Sequence, residues 1–178
     1  VEGEATAEVD PTERTTLAGH ESLLLGESPT LTLTELAQRA GTSVEVAQKF
    51  WRAMGFADVQ PDEVRFTDQD VAALQDTVAL LDETSDSSLA SASVLELLRA
   101  QSYTMDRLVL WELETFVTDL SERLGLDDTA ARLVALDRID GLVELLSRQL
   151  TYVWRRHMAS ILGRTDAEVS TRGREDRS

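Results

Sequence analysis

Two short helical patterns joined through one glycine constrain the fold of this 178-residue chain more than any other feature. Thr32 stands three residues before Glu35, and Thr42 stands three residues before Glu45, which is the spacing of a capping box at a helix N-terminus. Gly41 lies between the two patterns, and glycine readily adopts the left-handed conformation that ends a helix. The stretch therefore predicts a helix-turn-helix.

Apolar residues at helical spacing support these two helices and predict a third. Gly55 ends the second helix, and Thr67 with Asp70 forms a further capping box that begins the third. The residues predicted to face the core are Leu33, Leu36, Ala37 and Ala40 in the first helix, Val44, Ala47, Phe50, Trp51 and Met54 in the second, and Val71, Leu74, Val78 and Leu81 in the third.

From residue 89 onward the apolar pattern lengthens and predicts long helices. One pattern ends at Gly125, and residues 102–104 are either a kink in it or a joint between two helices. Asp127 or Asp128 caps the next helix. A final helix is predicted over residues 140–162 and ends at Gly163. The residues predicted to face inward are Leu133, Leu136 and Ile139, followed by Leu142, Leu145, Leu146, Leu150, Val153, Trp154, His157, Met158 and Ile161.

The composition indicates an all-α protein, since 42% of the residues are hydrophobic and only three are proline. We expect an acidic, disordered lead-in over residues 1–16, a helix-turn-helix-like lobe over 17–82, a long-helix lobe over 89–163 and a linker over 164–178. The broad apolar faces of the long-helix lobe predict a bundle closed by homodimerisation. A monomeric bundle that buries its own faces is the alternative.

The charge of the chain argues against a nucleic-acid partner. Its 33 acidic and 17 basic residues give a formal net charge of −16, whereas a nucleic-acid binder needs a positive field to displace phosphate counterions. The chain has no cysteine, no apolar run long enough for a transmembrane helix and no signal-peptide pattern, so we expect a cytoplasmic location. Because the sequence starts with Val1, we expect a processed protein or an excised piece.

Catalytic motifs are missing from the sequence. None of the nine glycines belongs to a phosphate-binding loop, and neither His20 nor His157 sits in a nucleophile motif. Glu112 lies near an apolar stripe, where it is either paired with a basic residue or a metal or acid–base residue. We therefore expect no enzymatic activity and no cofactor in this chain.

His157 is the most informative single residue, because it lies on the apolar stripe of the last helix. Histidine is the side chain that changes charge in the physiological pH range. Protonation there would place a charge against an apolar interface and favour one helix packing over another. The alternative is an ordinary histidine of a core or interface.

The helix-turn-helix resembles that of MerR-type regulators. The resemblance rests on ELAQRAGTSVEVAQKFWRAMGF and the following RFTDQDVAAL, about a quarter of the chain. It implies DNA binding through the second helix. That helix offers Glu45, Gln48, Lys49 and Arg52, whereas MerR-type helices usually carry arginines and a tyrosine, and no long dimerisation coiled coil follows.

The chain also resembles, over about residues 17–162, the N-terminal regulatory domain of the pH-responsive class III adenylate cyclases of mycobacteria and other actinobacteria. Three segments carry this resemblance: LTELAQRAGTSVEVAQKFWRAMGFAD, SVLELLRAQSYTMDRLVLWELETFV and RLVALDRIDGLVELLSRQLTYVWRRHM. It implies a dimeric cytoplasmic module without catalytic residues of its own, a cyclase domain following it, and a last helix that transmits the regulatory state.

The same resemblance implies a response to pH and a fatty-acid-like ligand. Arg156, His157 and Met158 are the positions that it makes candidates for the switch. Apolar spacing alone suggests lipid-lining residues, which are Leu98, Met105, Val109, Leu146 and Trp154. In the resulting hypothesis, the register of two paired last helices sets whether two catalytic domains can meet. A helical dimerisation module without any sensing role is the third interpretation.

Overall fold

The computed structural model describes residues 19–22, 24–82, 84, 86 and 89–175, and the predicted lead-in over residues 1–16 lies outside them. The described residues form no strand, only an isolated antiparallel bridge between Leu31 and Phe66, so the all-α prediction is confirmed. A short helical stretch covers residues 19–22 and 24–25. The main helices are α1 (Leu33–Arg39), α2 (Val44–Ala53), α3 (Asp68–Leu80), α4 (Ser91–Leu124) and α5 (Asp128–Glu175).

The capping box that begins α1 is confirmed. The backbone N–H of Thr32 donates to Glu35 Oε2 at 2.8 Å, and the backbone N–H of Glu35 donates to Thr32 Oγ1 at 3.4 Å. The predicted box at Thr42 is wrong by one residue, because Ser43 caps α2 and accepts from the N–H of Val46 at 3.2 Å. Thr42 instead closes α1 by donating its backbone N–H to the carbonyl of Ala37 at 3.0 Å.

The acid response of this lobe follows from the α1 cap. Hydrogen bonds from the backbone and hydroxyl of Thr32 lower the pKa of Glu35 below its ordinary value of 4.5. A carboxylate with a lowered pKa stabilises the fold above its unfolded pKa, and that contribution is lost as the pH falls through the folded value. We therefore expect Glu35→Gln to lower the melting temperature at pH 7 and to have a shrinking effect below about pH 4.5, in thermal unfolding followed by circular dichroism. A difference in melting temperature between the wild type and Glu35→Gln that stays constant with pH would contradict this account.

The core of the helix-turn-helix lobe is formed by the three helices and by the two residues of the bridge. Its buried residues are Leu31, Leu33, Leu36, Ala37, Ala40, Ala47, Phe50, Phe66, Val71 and Leu74, with Trp51, Met54, Val59, Val78 and Leu98 partly buried against them. One predicted core residue is wrong, since Val44 is 41% exposed in the first turn of α2. The capping box of Thr67 and Asp70 at the start of α3 is confirmed.

Helix α4 is continuous through residues 102–104 and ends at Gly125 as predicted, where the φ of 65° is left-handed. Val117 and Leu120 near its end pack against Ala131 and Ala135 in the first turns of α5. Asp127 caps α5 by accepting from the N–H of Ala130 at 2.8 Å.

Leucines predicted to face inward in this part of α5 do not do so. Leu133 is 64% exposed and Leu136 is 42% exposed, whereas Ala131 and Ala135 are fully buried. An apolar pattern counts leucine and alanine alike, so it does not show which of them is buried. Where two helices pack closely, the smaller side chain of alanine fits the contact better than leucine.

Helix α5 runs from Asp128 to Glu175 without a break, so the predicted boundary near residue 140 and the predicted end at Gly163 are both wrong. Neither Gly141 nor Gly163 has a positive φ, and a Cβ at either position would meet no atom within 4 Å. The chain divides into two compact units after Ala135, within α5. No helix in the described ranges has the combination of length and apolar character that a membrane span requires.

Candidate functional site

Helix α2 is the helix that would enter the major groove if the lobe bound DNA as MerR-type regulators do, and its cations are already paired. Lys49 Nζ lies 2.7 Å from Glu45 Oε1, and Arg52 makes two hydrogen bonds to the carboxylate of Asp58, at 2.5 and 2.9 Å. These contacts lower the pKa of both carboxyl groups, chiefly through the hydrogen bonds that they accept. The groups that would meet phosphate are therefore neutralised within the lobe.

The same pairing extends to the other two cations of the lobe. Arg39 lies 2.7 Å from Asp68, and Arg65 lies 3.6 Å from Glu21. Residues 19–82 contain only these four lysines and arginines against eleven acidic residues. Exposed ion pairs stabilise a fold little, but here they leave no net positive field on the lobe.

Helix α2 also packs against the N-terminal half of α4. Ser102 donates its hydroxyl to the carbonyl of Met54, directly after α2. Leu98, one turn earlier in α4, packs against the core of the lobe together with Trp51 and Met54. The long helix thus covers the C-terminal end of α2, whereas the side chains of Lys49 and Arg52 stay exposed.

The predicted lipid-lining residues lie on two helices. In α4, Leu98 and Met105 are half-buried and Val109 is exposed, while in α5 Leu146 is half-buried and Trp154 is exposed. Since Leu98 packs into the lobe core, it has a structural role already. Shallow depressions of about 480 and 420 Å³ are lined by other residues, one between α1, α2 and α3 and one on α5. The lipid site stays a prediction.

The predicted switch residues, Arg156, His157 and Met158, are all exposed on α5. The side chains of residues 151–170 are exposed throughout. Upstream of His157, apolar residues recur every three or four positions and form a stripe along the helix. Its members are Leu136, Ile139, Val143, Leu146, Leu150 and Val153, with His157 in the next position. A spacing of this kind is typical of the contact face of paired helices.

An ion-pair network that the sequence did not predict joins α4 to the start of α5. Arg132 makes two hydrogen bonds to Glu114, at 2.8 and 3.0 Å, and a third to Asp128 at 2.9 Å. The hydrogen bonds to Glu114 and then to Asp128 raise the pKa of the Arg132 guanidinium further above its ordinary value. Since Glu114 and Arg132 are 18 residues apart, no local spacing rule could reveal the contact.

We expect this network to couple α4 to α5 in a double-mutant cycle. Arg132→Gln and Glu114→Gln should each lower the free energy of unfolding, and the double variant should lower it by less than the sum, because the contact is bidentate and links two helices. The measurement is urea unfolding followed by circular dichroism. The matched control is Arg123 and Asp119, an exposed pair within α4 at 2.7 Å, which should show the smaller coupling. Equal coupling in the two cycles would contradict the expectation.

Metal binding finds no support in the described residues, where no three His, Cys, Asp or Glu side chains form a group that could hold an ion. Glu112 is half-buried on α4. A role for Glu112 in acid–base or metal chemistry therefore rests on its sequence position alone.

The chain matches no protein-family profile. It is similar to a protein named adenylate cyclase from Glutamicibacter nicotianae, with 32% identity over 158 residues, which are 89% of this chain and 38% of that protein. Two further proteins of the same name match in the same way. That of Streptomyces coelicolor is 34% identical over 157 residues (87% and 39%), and that of Streptomyces griseus is 32% identical over 158 residues (88% and 38%). The chain thus spans about two fifths of the length of the curated relatives that it matches.

Proposed function

We propose that this chain, which is homologous to a segment of actinobacterial adenylate cyclases, is the regulatory and non-catalytic segment of a class III adenylate cyclase. The observation that carries the proposal is the extent of the match, which covers nearly the whole chain but only about 38% of each relative. The remaining length of such a relative is ample for a separate catalytic domain. The segments noted in the sequence as resembling the regulatory domain fall within an all-helical structure.

In this proposal α5 is the transmitting element of a homodimer. The apolar stripe of α5 recurs at three- and four-residue spacing, with Leu136 and Val153 exposed and the members between them half-buried. A helix that leaves such a stripe only partly covered is suited to pairing with a second copy. The register of two paired α5 helices would decide whether two catalytic domains can form a shared site. The cyclase domain is the partner on the same chain, ATP its substrate, and the cytoplasm its location.

The proposed signal is pH, with a fatty-acid-like lipid as a second input. His157 lies in line with Leu150 and Val153 on the stripe, next to Arg156 and Met158, so that its protonation would add charge to the paired face. One group shifted by about one pKa unit changes the balance between two states by roughly 1.4 kcal/mol, and a dimer doubles this. That is sufficient for a nearly balanced switch.

The test uses the longer protein that joins this chain to a cyclase catalytic domain. Cyclase activity is measured from about pH 5.5 to about pH 8, the range in which an ordinary histidine changes charge, for the wild type and for His157→Ala. We expect the variant to have a flatter profile. Identical profiles would remove His157 from the mechanism, and a pH profile that is unchanged when this whole segment is deleted would refute the regulatory function itself.

A MerR-like DNA-binding role is the alternative, and the paired cations of the lobe argue against it. Lys49 and Arg52 each have a carboxylate partner, and α4 packs against the helix that carries them. We expect no retardation of duplex DNA in a gel-shift assay at low salt, where electrostatic binding is strongest. Retardation at micromolar protein that weakens steeply with added salt would reverse this conclusion.

A further inference from the structure

The segment of α5 over residues 145–165 stands apart from the rest of the chain in its charge. It contains four arginines and one histidine and not a single aspartate or glutamate, although the whole chain has 33 acidic residues. The four arginines are Arg148, Arg155, Arg156 and Arg164. An acidic chain thus carries one distinctly basic stretch, which lies on a helix whose side chains are exposed over residues 151–170.

Two of these arginines, Arg148 and Arg155, form one face of α5 together with Tyr152, and we call it the basic face. They follow one another at spacings of four and three residues, so that they lie on successive turns, and together with Ser147 and Thr151 they line a shallow depression of about 420 Å³. At about 100° per residue, this face lies roughly opposite Leu150 and the apolar stripe. Pairing through the stripe therefore leaves the basic face uncovered.

The arginines of the basic face differ in their partners. Arg148 lies 3.2 Å from Glu144, one turn earlier. Across the described residues, no ion pair is formed by Arg155. The basic face thus has an open cation beside the exposed ring of Tyr152, which is the composition of a protein contact surface rather than of a solvated helix face.

A surface of the opposite charge is present in the loop between α2 and α3, residues 56–65, which we call the acidic loop. Phe56 and Val64 are 52% and 54% exposed, and Asp62 and Glu63 lie beside Val64. Neither Asp62 nor Glu63 takes part in an ion pair within the described residues. The carboxylate of Glu63 accepts one hydrogen bond, from the backbone N–H of Gln60 at 3.3 Å. The acidic loop therefore combines exposed apolar side chains with carboxylates that have no cationic partner.

The acidic loop is also held in place, so that binding would require little ordering. Trp51 donates its indole N–H to the carbonyl of Ala57 at 2.9 Å and packs against Phe56, with the ring centroids 4.5 Å apart and the rings tilted by 33°. Arg52 binds Asp58, and the other end of the loop is fixed by the bridge between Phe66 and Leu31. A pre-organised loop loses little conformational entropy when it docks.

We propose that the acidic loop of one copy of this chain docks on the basic face of α5 of a second copy. The proposal rests on the pairing of two copies put forward above, and charge complementarity selects the occupant. Nucleic acids and anionic membranes would also attract arginines, but neither is held next to the basic face by the pairing of α5. The loop of a second copy offers carboxylates and apolar side chains together, and pairing of the copies would keep its effective concentration high.

The absence of cysteine from the sequence makes a direct test possible. Val64→Cys and Tyr152→Cys are introduced in two separately tagged copies, which are mixed and oxidised, and the disulfide-linked heterodimer is quantified on a non-reducing gel. We expect a yield several-fold higher than with the control pair Val64→Cys and Thr115→Cys, since Thr115 is also exposed but lies on α4. Raising sodium chloride to about 0.5 M should reduce the difference, because exposed charges are screened.

Charge exchange separates a specific contact from random collision. Asp62→Arg or Arg155→Glu alone should lower the cross-linking yield to the control level, and combining Asp62→Arg in one copy with Arg155→Glu in the other should restore it. A yield equal to the control, with the dimer still present in sedimentation velocity, would overturn the docking proposal and leave the pairing of α5 intact. Binding of the wild-type chain to vesicles of phosphatidylglycerol, abolished by Arg155→Glu, would overturn it in favour of a membrane.

Discussion

Phe66→Ala is expected to destabilise the helix-turn-helix lobe by about 3–5 kcal/mol, the range found when a buried aromatic ring is removed from a packed core. Phe66 is fully buried, and its ring meets Trp51 edge-on with the centroids 4.9 Å apart. Its backbone forms the bridge with Leu31, which ties the entry to α1 to the entry to α3. The substitution therefore leaves a cavity where three elements meet, and a loss of this size is a large part of the stability of an ordinary domain.

The fluorescence of Trp51 reports this unfolding directly when Trp111 and Trp154 are replaced by phenylalanine. Urea titration of that background, with and without Phe66→Ala, gives the difference in free energy. Phe56→Ala is the matched control, because Phe56 contacts the same indole at 4.5 Å but is 52% exposed, and we expect a loss of at most about 1 kcal/mol. Similar losses for the two phenylalanines would show that the Phe66 ring is not the centre of this core.

The lobe could be predicted closely because its signals are local. The capping boxes at Thr32 and Thr67 were placed correctly, since each depends on two residues three positions apart. The cap of α2 was displaced by one residue because Thr42 and Ser43 are both suitable side chains, and the choice depends on where α1 closes. The predicted burial of Val44 is wrong for a related reason. Whether a residue in the first turn is buried depends on the neighbouring helix and not only on its spacing in the sequence.

The long helices were less predictable because glycine has two roles. Gly125 is left-handed and is followed by the cap of Asp127, so the chain turns there. Gly141 and Gly163 have no such conformation and lie inside α5. Glycine in a helix interior costs only about 1 kcal/mol relative to alanine, which the remaining hydrogen bonds of a long helix offset.

The candidate site also has features that follow from the local sequence and features that depend on contacts between distant residues. The stripe that contains His157 follows from periodicity, and its partial exposure on α5 is what a pairing face requires before a partner covers it. The contact of Arg132 with Glu114 depends on how α4 and α5 meet after the turn at Gly125, which the sequence does not encode locally. The packing of α2 against α4 is equally non-local.

Gly163→Pro is expected to have the largest effect on function, because it interrupts α5 between the stripe and the C-terminal end of the helix. Proline removes one backbone hydrogen bond and its ring clashes with the carbonyl four residues earlier, at a cost of about 3 kcal/mol or more. Gly163→Ala is the control, since a Cβ there meets no atom within 4 Å and alanine should stabilise the helix by about 0.5–1 kcal/mol. Hydrogen exchange should then show faster exchange around residues 159–167 in the proline variant only.

In the longer cyclase proposed above, the two variants should separate pairing from transmission. The stripe from Leu136 to His157 precedes the break, so both variants should remain dimeric in sedimentation velocity. If α5 transmits as a rigid helix, the proline variant loses the pH dependence of cyclase activity. The alanine variant keeps this dependence or makes it steeper, because a stiffer helix carries a change of register further along the chain. A proline variant with the wild-type pH profile would mean that continuity of α5 beyond the stripe is irrelevant to regulation, and that the signal reaches the catalytic domains by another route.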